Sequence, residues 1–283
     1  AQITTTSLDV DPDNNENSGP VDVVSSSLSG TVFRDFDNDG DIDVADDTGV
    51  AAVTVTVTGT AFDGTPVSAT ATTDANGGYT IANLPRGTYT VTRGNVIEAY
   101  LDDGQAVDGS EGGSPDGALE VPSDTDATGY DFTLIPQARI GIAKRVTDGP
   151  TPAADGSFTV EFGFVVKNFS LEALDTIETT DALAGALPLF GTHVALTNPT
   201  TDTMTAGSYT VLSVSGGTCG VAANANFNGD SDQVLASGVS LVAGDSCELS
   251  LELRVRPAES DDNYENQARV TGVGTLTGQT PSD

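Results

Sequence analysis

Tryptophan is absent from this chain, histidine and methionine occur once each, and lysine and cysteine only twice. Each scarcity removes a class of function. With one histidine and two cysteines lacking CxxC spacing, a zinc site has almost no ligands to draw on. His193 has no serine, cysteine or aspartate at nucleophile spacing around it, and no GxSxG, P-loop or HExxH motif occurs, so no enzyme is expected. Ten basic residues against forty-two acidic ones give a formal charge of -32, which argues against nucleic acid and anionic membrane surfaces as partners. No apolar run reaches the roughly 18 residues of a membrane helix, so no direct membrane insertion is expected. Aromatic residues make up only 6% of the chain, and most sit at apparent core positions, which leaves little for an exposed aromatic platform.

What is present is threonine, serine, glycine, aspartate, valine and alanine, arranged in short alternating runs between polar turns. That pattern predicts an all-β chain, and 283 residues are comfortable for two domains. Residues 1–26 read as an acidic linker or a donated N-terminal strand. In them Asp9, Asp11 and Asp13 alternate as a weak cation binder or a solvated tail. A first β-domain spans 27–136, with strands expected at LSGTVF, VTVTVTG, PVSATATT, GYTIANL, GTYTVTR, ALEV and GYDFTLI. A second spans 137–283. The start at Ala1, without methionine or a basic, apolar leader, predicts a mature, processed or excised segment.

Between Asp35 and Asp47 the chain places seven aspartates in thirteen residues, with Gly40 at the sixth position. Carboxylates at one, three and five (Asp35, Asp37, Asp39), Asp41 at seven, Asp43 at nine and Asp46 at twelve, followed by Asp47, match the spacing by which a chain wraps a hard cation. Ca2+ is the expected ion, since Mg2+ keeps its waters and takes few carboxylates. A solvated acidic loop is the plainer alternative. Alternating runs on either side predict that this loop joins strands, not helices. It therefore reads as a permanent clamp rather than a sensor. A second acidic group, Asp102, Asp103, Asp108, Glu111 and Asp116, falls in a glycine-rich stretch of poorer register and is a weaker candidate for Ca2+.

The segment TTDANGGYTIANLPRGTYTVT resembles the signature of collagen-adhesin B-type domains. With the DxDxDG loop and the closing ATGYDFTL, residues 28–136 resemble the calcium-binding B-type domains of serine-aspartate repeat surface proteins. That resemblance implies a prealbumin-like sandwich stiffened by metal at Asp35, Asp37, Asp39, Asp41 and Asp46. Residues 138–275, from IGIAKRV through FTVEFGFVVKN to NQARV, are similar to a repeat domain of bacterial surface proteins with an immunoglobulin-like fold. The fold class expected is thus two immunoglobulin/prealbumin-like β-sandwich domains in series.

Cys219 and Cys247 are separated by a loop of the length that a disulfide stabilises by roughly 3 kcal/mol, and bonding is expected over two buried thiols. Lys144 lies in an apolar first strand. Gram-positive adhesin domains use a buried lysine, an asparagine in the last strand and an acid between them to form a spontaneous amide cross-link. That resemblance assigns the roles to Lys144, Asn266 and Asp181, and a surface lysine at a strand edge is the alternative. The expected function is a calcium-rigidified extracellular repeat or subunit of a bacterial surface fibre. Its partners would be copies of itself head to tail, or neighbouring repeats of one long chain. Joining TPSD to AQITTTSLDVD resembles a tandem connector and points the same way. An adhesin module binding a host protein or polysaccharide, or a surface-layer component, is the rival.

Overall fold

The computed structural model describes residues 25–43, 45–96, 101–122, 125–186, 189–259 and 263–283. The acidic segment with Asp9, Asp11 and Asp13, and the donated strand expected at 2–10, lie outside the described residues. The fold is all-β, two sandwiches in series, and among the described residues no helix is long and apolar enough to cross a membrane.

The first sandwich contains β1 (Ser26–Arg34), β2 (Thr48–Gly49), β3 (Thr54–Ala61), β4 (Pro66–Thr72), β5 (Gly78–Leu84), β6 (Gly87–Arg93), β7 (Leu101–Val107), β8 (Leu119–Val121) and β9 (Asp131–Pro136). One sheet runs β2-β1-β9-β7 with β5 also on β1, and the other runs β4-β3-β6-β8. All seven expected strands form, together with β2 and β7, which the alternation did not reveal. The VTVTV run explains why β3 is central. Val53, Val55 and Val57 are buried and Thr54 and Thr58 exposed, since successive side chains alternate between faces. Each such valine contributes roughly 1.5–3 kcal/mol by leaving water. β1 crosses the 127–134 segment so closely that a Cβ on Gly30 would stand 1.9 Å from the Tyr130 carbonyl oxygen, so only glycine fits there. The Tyr79 hydroxyl donates to that same carbonyl at 2.6 Å and closes the seam.

The second sandwich contains β10 (Ile140–Pro152), β11 (Phe158–Asn168), β12 (Leu174–Asp181), β13 (Thr192–His193), β14 (Ser208–Ser215), β15 (Val234–Leu241), β16 (Ser246–Arg256) and β17 (Ala268–Gly274). Its sheets are β10-β11-β16-β14-β13 and β15-β12-β17. The alternating apolar residues of β11 and β16 face each other in register, Phe162 opposite Leu251 and Phe164 opposite Leu249, and fill one continuous core. The first sandwich has a separate core that shares no residue with it. Near the junction, Gln279 accepts from the Ala138 N–H at 3.0 Å and donates to the Pro136 carbonyl at 3.1 Å, tying the end of the chain to the connection between the sandwiches.

Candidate functional site

The acidic loop leaves the end of β1 and returns at β2, which pairs antiparallel with β1. It joins strands, as the flanking alternation predicts. Asp35 is fully buried at the strand end, and its carboxylate accepts from the N–H groups of Asp39 at 3.2 Å and Gly40 at 3.0 Å. Gly40 has φ +87°, the left-handed turn that the sixth position of such a loop requires. Asp35, Asp37 and Asp39 bring carboxylate oxygens within 4.8 Å of one another, and they form the only such acidic group among the described residues. Burial first, then repulsion from Asp47, pushes the Asp35 carboxyl up. Asp43 is also pushed up, by desolvation and then by Asp39, Asp37, Asp47 and Asp46.

The far side of the loop differs from the twelve-position reading. Asp46 is exposed, whereas Asp47 turns inward, its carboxylate accepting from Phe36 at 3.1 Å and Asp43 at 3.0 Å. The thirteenth residue, not the twelfth, therefore braces the loop. The donor set fits a hard divalent cation. Each carboxylate oxygen has two lone pairs, so the N–H groups held by Asp35 leave acceptor capacity for an ion.

The second acidic group does not form one cluster. Asp102 and Asp103 sit on β7 rather than in a loop, and Asp103 pairs with Arg93. Asp108, Glu111 and Asp116 follow in the glycine-rich connection to β8, where Asp116 accepts from the Ser114 hydroxyl at 2.6 Å.

In the second sandwich, Lys144 on β10, Asp181 at the end of β12 and Asn266 converge between the sheets. Lys144 Nζ donates to Asp181 Oδ2 at 2.6 Å and to Asn266 Oδ1, and the Asn266 amide nitrogen donates to Asp181 Oδ1. The Asp181 side chain has no exposure and that of Lys144 only 11%. Phe162 and Phe164 lie 4.4 and 5.3 Å from Nζ, measured to ring centroids, and cover it on one side. Burial lowers the Lys144 ammonium and raises the Asp181 carboxyl, against their mutual attraction, so both move toward the neutral pair. Asn266 lies two residues before β17 rather than within it, because the pairing of β17 with β12 starts at Ala268.

Cys219 and Cys247 form a disulfide between the turn after β14 and β16. His193 is half-buried beside Tyr209, with ring centroids 5.5 Å apart, and burial pushes its imidazole down. One site passed unnoticed in the sequence. Asn224, Asn226, Asn228, Gly229, Asp230 and Asp232 repeat the spacing of the aspartate loop, with Gly229 at φ +69°. Here the Asn224 amide donates to both Asp232 oxygens, at 3.0 and 2.9 Å, so an internal donor holds the loop closed.

Residues 26–101 match the family model described as the SdrD B-like domain. No curated protein matches the chain. Among solved structures, BcpA, the major pilin subunit of Bacillus cereus, is 15% identical with a TM-score of 0.38, over 92% of this chain and 66% of that one. The full-length major pilin SpaD from Corynebacterium diphtheriae is 14% identical with a TM-score of 0.32, over 93% and 65%. The major pilin SpaA from the same organism, whose structure is described as pointing to a modular pilus assembly stabilizing isopeptide bonds, is 16% identical with a TM-score of 0.27, over 87% and 62%. The chain thus spans just under two thirds of these pilins, and at such scores the likeness carries no argument about function. By sequence, the first sandwich from β1 to the start of β7 is similar to the SdrD B-like domain.

Proposed function

We propose that this chain is an extracellular structural unit, a repeat or subunit of a surface fibre. Its first sandwich is stiffened by Ca2+ and its second is locked by an amide bond between Lys144 and Asn266. The observation that carries the reading is the buried convergence of Lys144, Asp181 and Asn266 between β10 and the approach to β17. The neutral Lys144 amine attacks the Asn266 side-chain carbonyl carbon while protonated Asp181 polarises the amide. One C–N bond forms and one breaks, and the leaving amino group departs as ammonia with the proton that the lysine loses. The reaction occurs once per molecule and its product is a staple, not a turnover. A link across a sequence separation of 122 residues would carry load past nearly the whole second sandwich.

Calcium at Asp35, Asp37, Asp39, Asp41, Asp43 and Asp47 is the second part of the reading, with Asp46 outside the set. The metal would supply positive charge to a loop that otherwise holds carboxylates against one another. Intact mass spectrometry of the purified chain tests the staple. The mass should fall short of the sequence by one ammonia beyond the two hydrogens of the disulfide, and Asp181→Ala should restore that ammonia. A wild-type mass carrying only the disulfide deficit would end the reading.

A further inference from the structure

β10 is an edge strand. It pairs with β11 on one side, and among the described residues no strand pairs with its other edge from Lys144 onward. The start of that edge shows what it accepts. The last residues of the chain run antiparallel to β17, with Thr271 opposite Ser282, and the Asp283 carboxylate accepts from the Ile142 N–H at 2.8 Å. Because strand N–H groups alternate in direction, the N–H groups of Lys144 and Val146 turn to the same outer edge as that of Ile142. Beyond Asp283 a groove continues along this edge, past Lys144 and Asn266, to a wall of Phe158, Phe190 and Tyr264. Val146 stands 52% exposed at its rim.

The same groove holds two exposed arginines. The whole chain has ten basic residues on a formal charge of -32. Two of them, Arg145 and Arg269, line this groove and are exposed, alongside two acids, Glu265 and Asp283, the second of which is already engaged by the Ile142 N–H. By contrast, Arg93 and Arg254 are in ion pairs with Asp103 and Asp155, and Arg86 lies over the Phe62 ring. An apolar slot with an open backbone edge and two flanking arginines suits an extended strand whose end is acidic.

The sequence contains such a segment outside the described fold. Ile3 to Val10 reads ITTTSLDV, rich in β-branched residues, and is followed by Asp11 and Asp13. We infer that residues 3–10 of a second copy add as a strand to the outer edge of β10, with the acidic residues from Asp9 to Asp13 meeting Arg145 and Arg269. This rests on the fibre reading and names its joint: main-chain hydrogen bonds to the open edge supply affinity, and the arginine pair supplies selectivity.

The test uses the chain lacking residues 1–24, a fluorescent peptide of residues 1–13, and analytical ultracentrifugation of the full chain. The peptide should bind the shortened chain saturably, and Arg145→Glu with Arg269→Glu should weaken it at least tenfold. Arg86→Glu, on the first sandwich, should leave binding unchanged and serves as the control for charge alone. The full chain should associate as its concentration rises and the shortened chain should not. Thermal melting of each variant checks that the fold is retained. Four results would each overturn the inference: no peptide binding, binding indifferent to the two reversals, equal binding of a scrambled peptide, or a full chain that stays monomeric. None of these outcomes bears on the ammonia deficit, so this joint and the staple fail separately.

Discussion

At the scale of single residues, the acids of this chain divide by what surrounds them. Asp131 accepts from the Thr31 N–H at 2.5 Å, and burial pushes its carboxyl above the usual 3.8. A group raised in the folded state contributes stability that is fully present below pH 3.8 and lost as pH rises through its folded value. Asp131→Asn keeps the acceptor and removes the buried charge, so it should stabilise the chain at neutral pH with an advantage that vanishes below 3.8. Melting curves of the two proteins at several pH values would show this. Lys144→Ala removes the attacking amine together with a hydrogen-bond partner of the buried Asp181 carboxyl, so it should abolish the ammonia deficit and cost about 1–3 kcal/mol in chemical denaturation for the polar group left unsatisfied. Asn224 is the inverse case. Asn224→Asp removes a donor to both oxygens of Asp232 and sets two carboxylates together, so a loss of about 1–3 kcal/mol is expected, measurable by urea unfolding. Added calcium should recover part of it, because the variant then has an acid at the first position of an aspartate-loop spacing.

At the scale of elements, two clamps hold the second sandwich besides its core. The disulfide joins residues 28 apart, which the chain-entropy model values at roughly 3 kcal/mol, and reduction should lower the melting midpoint of that sandwich alone. Arg254 reaches inward from β16. It donates to Ser157 at 2.8 Å, to the carbonyls of Pro199 and Asp202, and to Asp155 at 2.8 Å, gathering the β10–β11 turn and the loop before β14. The Asp155 carboxyl is held well below its usual range, first by the Ser157 hydroxyl and then by backbone N–H groups and the guanidinium, against some desolvation. Its stabilisation is therefore complete above pH 3.8 and fades as pH falls through the folded value, the opposite sense to Asp131. The strands missed in the sequence share a physical cause. β7 reads LDDGQAV, with acids and a glycine where alternation would need apolar residues, and it forms by pairing on β9. β15 contains Gly238 at φ +75°, and irregular register against β12 breaks its period of two.

At the scale of the whole molecule, two separate cores with different fastenings predict two separable transitions. A calcium chelator should lower the midpoint of the first sandwich and leave the second in place, and a reducing agent should do the reverse; calorimetry resolves both. If the aspartate loop holds calcium as proposed, the formal charge of -32 would make the metal-free state the more fragile one, since self-repulsion is strongest where carboxylates crowd. Added salt should therefore offset part of the chelator's effect.

Period and spacing alone determined the all-β class, seven strands of the first sandwich, the aspartate loop between strands and the cysteine pair, because each depends on neighbours within a few residues or on the chain's sole candidates. The convergence of Lys144, Asp181 and Asn266 could be named from sequence by resemblance but not located, since their meeting depends on how two sheets stack. Asp47 rather than Asp46 bracing the loop, the Arg254 clamp and, among the described residues, the edge position of β10 could not be named from the sequence at all. These are contacts between distant residues, and packing decides them where local alternation is silent.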